Sequence, residues 1–396
     1  MRVLHVVPTY LPAVRYGGPI HSVHGLCAAL AARGHDVQVF TTNVDGTLDS
    51  DVPLEVPVDL DGVKVWYFPS RRLRRLYWSP RMAHMLGKRI DDFDLVHLHS
   101  VFLWPTWAAA RTARRAKIPY VISPRGMLVK SLIRQRNAVI KSLWIALIER
   151  HNIESASGVH LTAALELKEL RAFGFDLPAT RVIANGVSTT PDMIPNEGVS
   201  EDVACALQNA PFVLNIGRLS WKKNLGSLIR AVATEPRLRL VIAGNDDEGY
   251  AKQIHRIVAE CGIESRTTVL PRFVSGADKD ALLAGATAFA LPSLSENFAN
   301  AVVEAMAAGC PVVVSEGVGL ADTVADGEAG IVAQPDQFGR ALTRLVDEPA
   351  LRESMAINAR RIAAERFGWP FIAAEMEALY EATRQDVARS SQRFGS

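Results

Sequence analysis

Hydrophobic residues fall along this chain in short runs, each closed by glycine, proline or a polar turn, and most are followed by apolar positions at helical spacing. Val3–Val7 is the first run and reads as a buried strand. A loop from Pro8 to Pro19 contains Gly17-Gly18, a helix is predicted from about Ile20 to Arg33 with Gly34 ending it, and Val37–Thr41 is the next strand. Past the middle the plan restarts: Phe212–Ile216 as strand, Gly217–Asn224 as loop, Leu225–Ala233 as helix, Leu238–Ala243 as strand. Two such openings predict two α/β units with parallel sheets, whose ligands gather at the carboxyl ends of the strands. The glycine pair and helix start after the first strand lie at such an end.

The most patterned stretch runs from Ala286 to Ser315. The apolar run Ala286–Leu291 stops at Pro292, Ser293–Asn297 is polar, and a helix is predicted from Asn300, with Val302, Val303, Met306 and Ala307 on one side. Gly309 ends it, and Pro311–Ser315 is another β-run. Glu296 thus falls in the loop and Glu304 one turn into the helix. Helix-start N–H groups favour an anion. Two carboxylates beside them make chemical sense as acceptors for sugar hydroxyl groups.

Between these landmarks, residues 44–62 read as an acidic, irregular loop. Its Asp49-Ser-Asp51 and Asp59-Leu-Asp61, like Asp92-Phe-Asp94, read as solvated charges and not as a metal site. Leu95–His99 is a strand whose period places His97 and His99 on one face, with His99 nearer the carboxyl end. Tyr120–Ser123 is the next strand, and Arg125 follows in Pro124-Arg-Gly-Met-Leu128. Val159 opens a strand–helix pair, Arg181–Val187 reads as a strand, and residues 188–200 read as a linker. After Phe367-Gly-Trp-Pro370, a break, a last helix is predicted from about Phe371 to Arg384.

Composition narrows the class. A chain of 396 residues and 43.2 kDa, 48% hydrophobic, suits about two globular domains. The four cysteines are scattered and suggest a reducing compartment. The N-terminal apolar run is too short for a signal peptide, and no window approaches a membrane span, so a cytoplasmic location is expected. Charge is uneven: residues 1–190 hold 24 Lys+Arg against 15 Asp+Glu, the remainder 20 against 27. Arg71–Lys141 alone holds 16 against 3, interleaved with Trp and Tyr. The run Lys130–Arg150 sets cations beside Leu132, Ile133, Ile140, Leu143, Trp144 and Ile145 at roughly helical spacing. That pattern fits a surface lying on an anionic membrane, or helices packing their apolar side on the sheet. No nucleic-acid motif accompanies the charge.

The Glu296-x7-Glu304 spacing, with Glu-Ala-Met-Ala-Ala-Gly-Cys-Pro-Val-Val after it and Gly217-Arg-Leu-Ser-Trp-Lys-Lys before it, resembles the retaining glycosyltransferases of family 4. The resemblance implies the GT-B fold, two Rossmann-like domains facing a cleft. It divides the chain into an acceptor domain at 1–190, joined by a C-terminal helix at about 371–396, and a donor domain at 191–370. It implies a nucleoside diphosphate sugar (UDP- or GDP-sugar) as donor and a glycan or lipid-linked acceptor, in cell-surface polysaccharide synthesis, with no cofactor and no metal. Glu304 would take the ribose hydroxyls and Glu296 those of the transferred sugar. Arg218 and Lys223, with Asn300, Ala301 and Val302 and the Gly17–Gly18 loop, would face the diphosphate. His99 would act from the first domain and Arg125 toward the acceptor. Asn224 stands where the family usually has glycine, and Ala184 where it usually has proline. A nucleotide-sugar epimerase of the same fold, or a non-catalytic nucleotide-sugar-binding protein, are the alternatives.

Overall fold

The computed structural model describes residues 1–13, 17–130, 133, 138–188, 198–208, 211–246 and 249–393. Residues 189–197 of the expected linker, and Leu132 of the basic run, lie outside the described residues. The chain divides into two compact units, one of Met1–Gly186 with Trp369–Ser396, the other of Val187–Gly368.

The first unit is built on an eight-stranded sheet. Its strands are β1 (Arg2–Val6), β2 (Asp36–Thr42), β5 (Pro57–Leu60), β6 (Val63–Phe68), β7 (Leu95–His99), β8 (Tyr120–Ser123), β9 (Gly158–Leu161) and β10 (Thr180–Val182). They lie in the order β10-β9-β8-β7-β1-β2-β6-β5, parallel except for β5 against β6. A two-stranded ribbon of β3 (Val44–Asp45) and β4 (Leu48–Asp49) stands apart. Because helices cover parallel sheets on both faces, the inner strands β1, β2, β7, β8 and β9 are buried almost throughout, which is why they read largely as apolar runs. The chain leaves β1 on one side for β2 and returns on the other as β7, making the carboxyl end of β1 a switch point.

The second unit has six parallel strands in the order β13-β12-β11-β14-β15-β16: β11 (Phe212–Ile216), β12 (Arg239–Ala243), β13 (Thr267–Leu270), β14 (Ala288–Leu291), β15 (Val312–Val314) and β16 (Gly330–Val332). Here the switch point is the carboxyl end of β11, between β12 and β14.

Two sequence expectations need correction. Residues 44–62 are not an irregular loop: they hold β3, β4 and β5, short edge elements with too little apolar content to show as runs. The strand expected at Arg181–Val187 is only Thr180–Val182, and Val187 makes an isolated bridge to Gly368. The break expected at Phe367–Pro370 is present: the helix Pro349–Phe367 ends there, and the last helix starts just past Gly368 with Pro370 in its first turn and runs Trp369–Arg393.

That helix is locked onto the first unit by its leading residue. A Cβ on Gly25 would lie 2.1 Å from the Trp369 ring, and one on Gly186 would lie 2.2 Å from it. The indole is held between two positions that only glycine can occupy. Ile372, Ala373, Met376, Leu379 and Tyr380 continue the contact into the core.

Candidate active site

In the second unit the candidate residues converge on the switch point. The loop after β11 runs close beside the one after β12: Gly217 N–H donates to Ala243 (2.9 Å) and Leu219 N–H to Asn245 (2.8 Å). A Cβ on Gly244 would sit 1.9 Å from the Gly217 carbonyl oxygen, so that approach requires glycine. Asn224 turns the loop into the helix Leu225–Ala233 with a left-handed φ of 50°, the conformation asparagine tolerates where glycine would be ordinary. Lys223, just before it, extends across Gly217 and pairs with Glu296 at 2.5 Å.

Glu296 sits in a loop held from both sides. Leu294 N–H donates to Lys222 (2.9 Å), while Glu296 N–H donates to Gly317 and Gly319 N–H to Glu296, each at 2.9 Å. Ala299 then takes a left-handed φ of 66° ahead of the helix Asn300–Ala307, a strained conformation for a residue with a Cβ. Val302 N–H donates to Ala299 (2.9 Å), so of the three expected anion donors this one is engaged in the first turn. Asn300 and Ala301 are half-buried. Glu304, one turn in, is met by Lys279 at 3.0 Å. Arg218 is exposed.

Lys279 was not anticipated, because it belongs to no motif and lies on the helix Gly276–Gly285. A signal was present: it is the lone cation between Arg272 and Arg340. Each glutamate expected to receive hydroxyls thus already faces an ammonium group.

In the first unit, Gly17 takes a φ of 69° and ends the described part of its loop at the helix Gly18–Ala32. The switch point there is filled by histidines. His5 pairs in register with His97, and the His97 and His99 rings lie 4.1 Å apart. His99 is buried, with Nε2 2.9 Å from His5 Nδ1 and Nδ1 3.1 Å from the Arg125 guanidinium. Arg125, with a left-handed φ of 57°, also donates to Asn185 Oδ1 at 2.7 Å.

Donor and acceptor roles in this cluster follow from groups that have only one choice. A guanidinium can only donate, so His99 Nδ1 accepts, its Nε2–H donates to His5 Nδ1, and His5 carries a proton on Nε2, a buried donor with no partner. The carbonyl of Ile183 can only accept, so His160 Nε2–H donates to it (2.9 Å) and His160 Nδ1 accepts from Ser123. Ser123 Oγ in turn accepts from His97 Nε2–H, whose Nδ1 accepts from Tyr380, both at 2.7 Å. Burial first, and the charge of Arg125 second, push His5 and His160 down to about 3. Burial likewise holds His97 and His99 well below the usual range. Burial also pulls Arg125 down to about 10, which leaves it charged at neutral pH.

Ring nitrogens of His5, His97 and His99 lie within 4.8 Å of one another, a spacing open to a metal ion. Holding one would break the bonds to Tyr380, Ser123 or Arg125, since only His5 Nε2 is uncommitted. The acidic pairs of 44–62 are exposed, as expected of solvated charges, and three of their carboxylates also meet protein partners: Asp49 meets Arg74, Asp59 the Gly62 N–H, and Asp61 His24.

Two parallel-sheet units of Rossmann type, each with its candidate residues at the switch point, define a GT-B protein. Residues 205–362 match the family described as glycosyl transferases group 1, and residues 17–186 match the glycosyl transferase 4-like domain. The chain belongs to the group 1 (family 4) glycosyltransferases. It is 28% identical over 427 residues to a glycogen synthase of Mycobacterium tuberculosis, covering 97% of this chain and 95% of that one. It is 26% identical over 398 residues to a GDP-mannose:cellobiosyl-diphosphopolyprenol alpha-mannosyltransferase of Komagataeibacter xylinus, with 96% and 93% covered. Among solved structures, Anabaena HepE in complex with UDP and glucose superposes with a TM-score of 0.74 at 20% identity, over 96% of this chain and 100% of that one.

Proposed function

We propose that this enzyme transfers a sugar from a nucleoside diphosphate sugar, with retention of configuration and without a metal, to a glycan or lipid-linked acceptor in polysaccharide synthesis. The observation that carries the reading is the placement of Glu296 and Glu304, each against a lysine, around the strained start of the helix Asn300–Ala307. Carboxylates there suit hydroxyl groups, the helix start suits phosphate, and lysines balance the charge.

In this reading the bond from the sugar's anomeric carbon to the diphosphate oxygen breaks and its electron pair leaves with the diphosphate. Lys223, exchanging Glu296 for phosphate, and Arg218 stabilise that charge, assisted by Asn300 and Ala301. The acceptor hydroxyl forms the new bond on the same face and its proton passes to the departing phosphate oxygen. Glu304 holds the ribose and Glu296 the transferred sugar. Arg125 faces the acceptor. His99, with both nitrogens engaged, is a positioning residue that acts by orienting Arg125.

The lipid-linked acceptor draws support from the basic first unit and from the polyprenol-linked substrate named for the Komagataeibacter relative. No described helix is long and apolar enough to cross a membrane; in this reading the enzyme meets such an acceptor at a membrane surface. The test incubates the protein with UDP-, GDP- and ADP-sugars and follows nucleoside diphosphate release, with NMR of the product's anomeric configuration. Release from one donor with the configuration kept is expected; inversion, epimerised donor or no turnover with any donor would overturn it.

A further inference from the structure

From Ala138 to Glu154 the backbone is helical throughout, with a π-helical stretch at Ile145–Glu149. Buried Glu149 pins that stretch by accepting from Phe102 N–H (2.6 Å) and from the Trp144 indole N–H (2.8 Å). Ile145 and Ile153 pack into the core, yet the same run exposes Val139 (81%), Ile140 (68%), Leu143 (58%) and Leu147 (68%). One exposed apolar side chain is ordinary; four on so short a run mark a contact surface.

His151 lies about 6 Å further along the axis than Leu147. With Trp107, Arg111, Arg114 and Arg115 it lines a pocket of about 430 Å³. Arg111 stacks over the Trp107 ring at 5.4 Å, and Arg114 is braced at 3.1 Å by Tyr120 and by Asn152. No carboxylate lines the pocket, and among the described residues none of these three arginines has an ion-pair partner.

We propose that this pocket binds the phosphate of an anionic phospholipid headgroup while the Val139–Leu147 stripe enters the bilayer beside it. The proposal rests on the lipid-facing part of the function above. Guanidinium groups fork onto phosphate oxygens, and an apolar stripe beside cations is the pattern of an interfacial helix. A soluble phosphate accounts for the arginines but not the stripe, and an apolar protein surface accounts for the stripe but leaves the cations uncompensated.

The experiment sediments the full-length protein with vesicles of phosphatidylcholine alone and with added phosphatidylglycerol. Wild type is expected to bind the anionic vesicles at low salt. Arg111→Gln/Arg115→Gln should lower partitioning about 25-fold, at about fivefold per cation near the surface. Leu143→Ser/Leu147→Ser should remove whatever binding survives high salt. Arg71→Gln/Arg72→Gln, which deletes the same charge elsewhere, should cost less than fivefold. Equal losses from the two arginine pairs would reduce the effect to diffuse charge and overturn the pocket. Failure of wild type to bind would overturn the docking, even if calorimetry showed inorganic phosphate binding. Donor-sugar hydrolysis without vesicles separates the two readings: hydrolysis in a protein that ignores vesicles sinks the docking alone, and sedimentation without hydrolysis sinks the donor chemistry alone.

Discussion

Lys223 and Glu296 form a 2.5 Å ion pair between loops that follow different strands, β11 and β14. In the proposed reading the pair leaves the donor site self-satisfied, because a diphosphate would have to compete for the ammonium and a sugar hydroxyl for the carboxylate. Glu304 and Lys279 form a second such pair at 3.0 Å, one turn into the helix Asn300–Ala307.

Glu296→Ala should therefore lower kcat, on the order of 100-fold, because its partner is the group whose charge changes in the transition state. It also frees Lys223, so nucleotide affinity should hold or rise. Glu304→Ala should weaken nucleotide binding more than Glu296→Ala does. Calorimetric titration of the free nucleotide, beside steady-state kinetics, checks both; equal losses of affinity would break the assignment.

His99→Ala should cost about 100-fold in transfer, as expected for loss of an oriented polar group. The loss should come through Arg125, so Arg125→Ala in the same background should cost little more. Nucleotide affinity, carried by the other unit's residues, should stay near wild type. Additive losses in the double variant would mean that His99 works independently.

Turnover should survive EDTA if, as proposed, Lys223 and Arg218 supply the positive charge at the leaving group. Metal analysis of the purified protein gives the second readout. Loss of activity in EDTA with recovery on added Mn²⁺ would point to the His5, His97 and His99 nitrogens as ligands.

The buried histidines set an acid limit on the first unit. His5 and His160 hold values near 3 when folded against about 6.5 when unfolded, so below pH 6.5 the unfolded chain binds more protons. Their contribution is complete above about pH 6.5 and is lost as pH falls toward 3. Each should subtract about 1.4 kcal/mol per pH unit in that window. Melting curves between pH 7.5 and 5 should show the drop; a flat profile would contradict the cluster.

Gly186→Ala would drive a Cβ into the Trp369 ring and should destabilise by about 1–3 kcal/mol. In a Trp369→Ala background the same change should cost much less, because the ring it strikes is gone. Urea titration of the four proteins of that cycle measures the difference.

Much of this was legible in the sequence, and for identifiable reasons. Phe212–Ile216 and Leu225–Ala233 fall where periodicity put them, because a buried strand and a one-sided helix leave unmistakable patterns. Glu296 and Glu304 stood out as candidates by their spacing, and His97 and His99 by the strand's period of two. Partners were not legible. Nothing local in Gly276–Gly285 announces that Lys279 reaches Glu304, and only β1 pairing with β7 makes His5 the neighbour of His97 and His99. The edge elements at 44–62 escaped because pairing, not composition, makes them strands.

The helix Trp369–Arg393 also dictates an order of assembly. Residues 187–368 of the second unit are one continuous piece of chain, whereas the first unit lacks its closing helix until the chain beyond Trp369 has been made. At the ribosome's rate the interval from Gly186 to Trp369 lasts on the order of ten to forty seconds. Throughout it Gly25 and Gly186 have no indole between them and His97 no Tyr380. The half that emerges first is the half that finishes last.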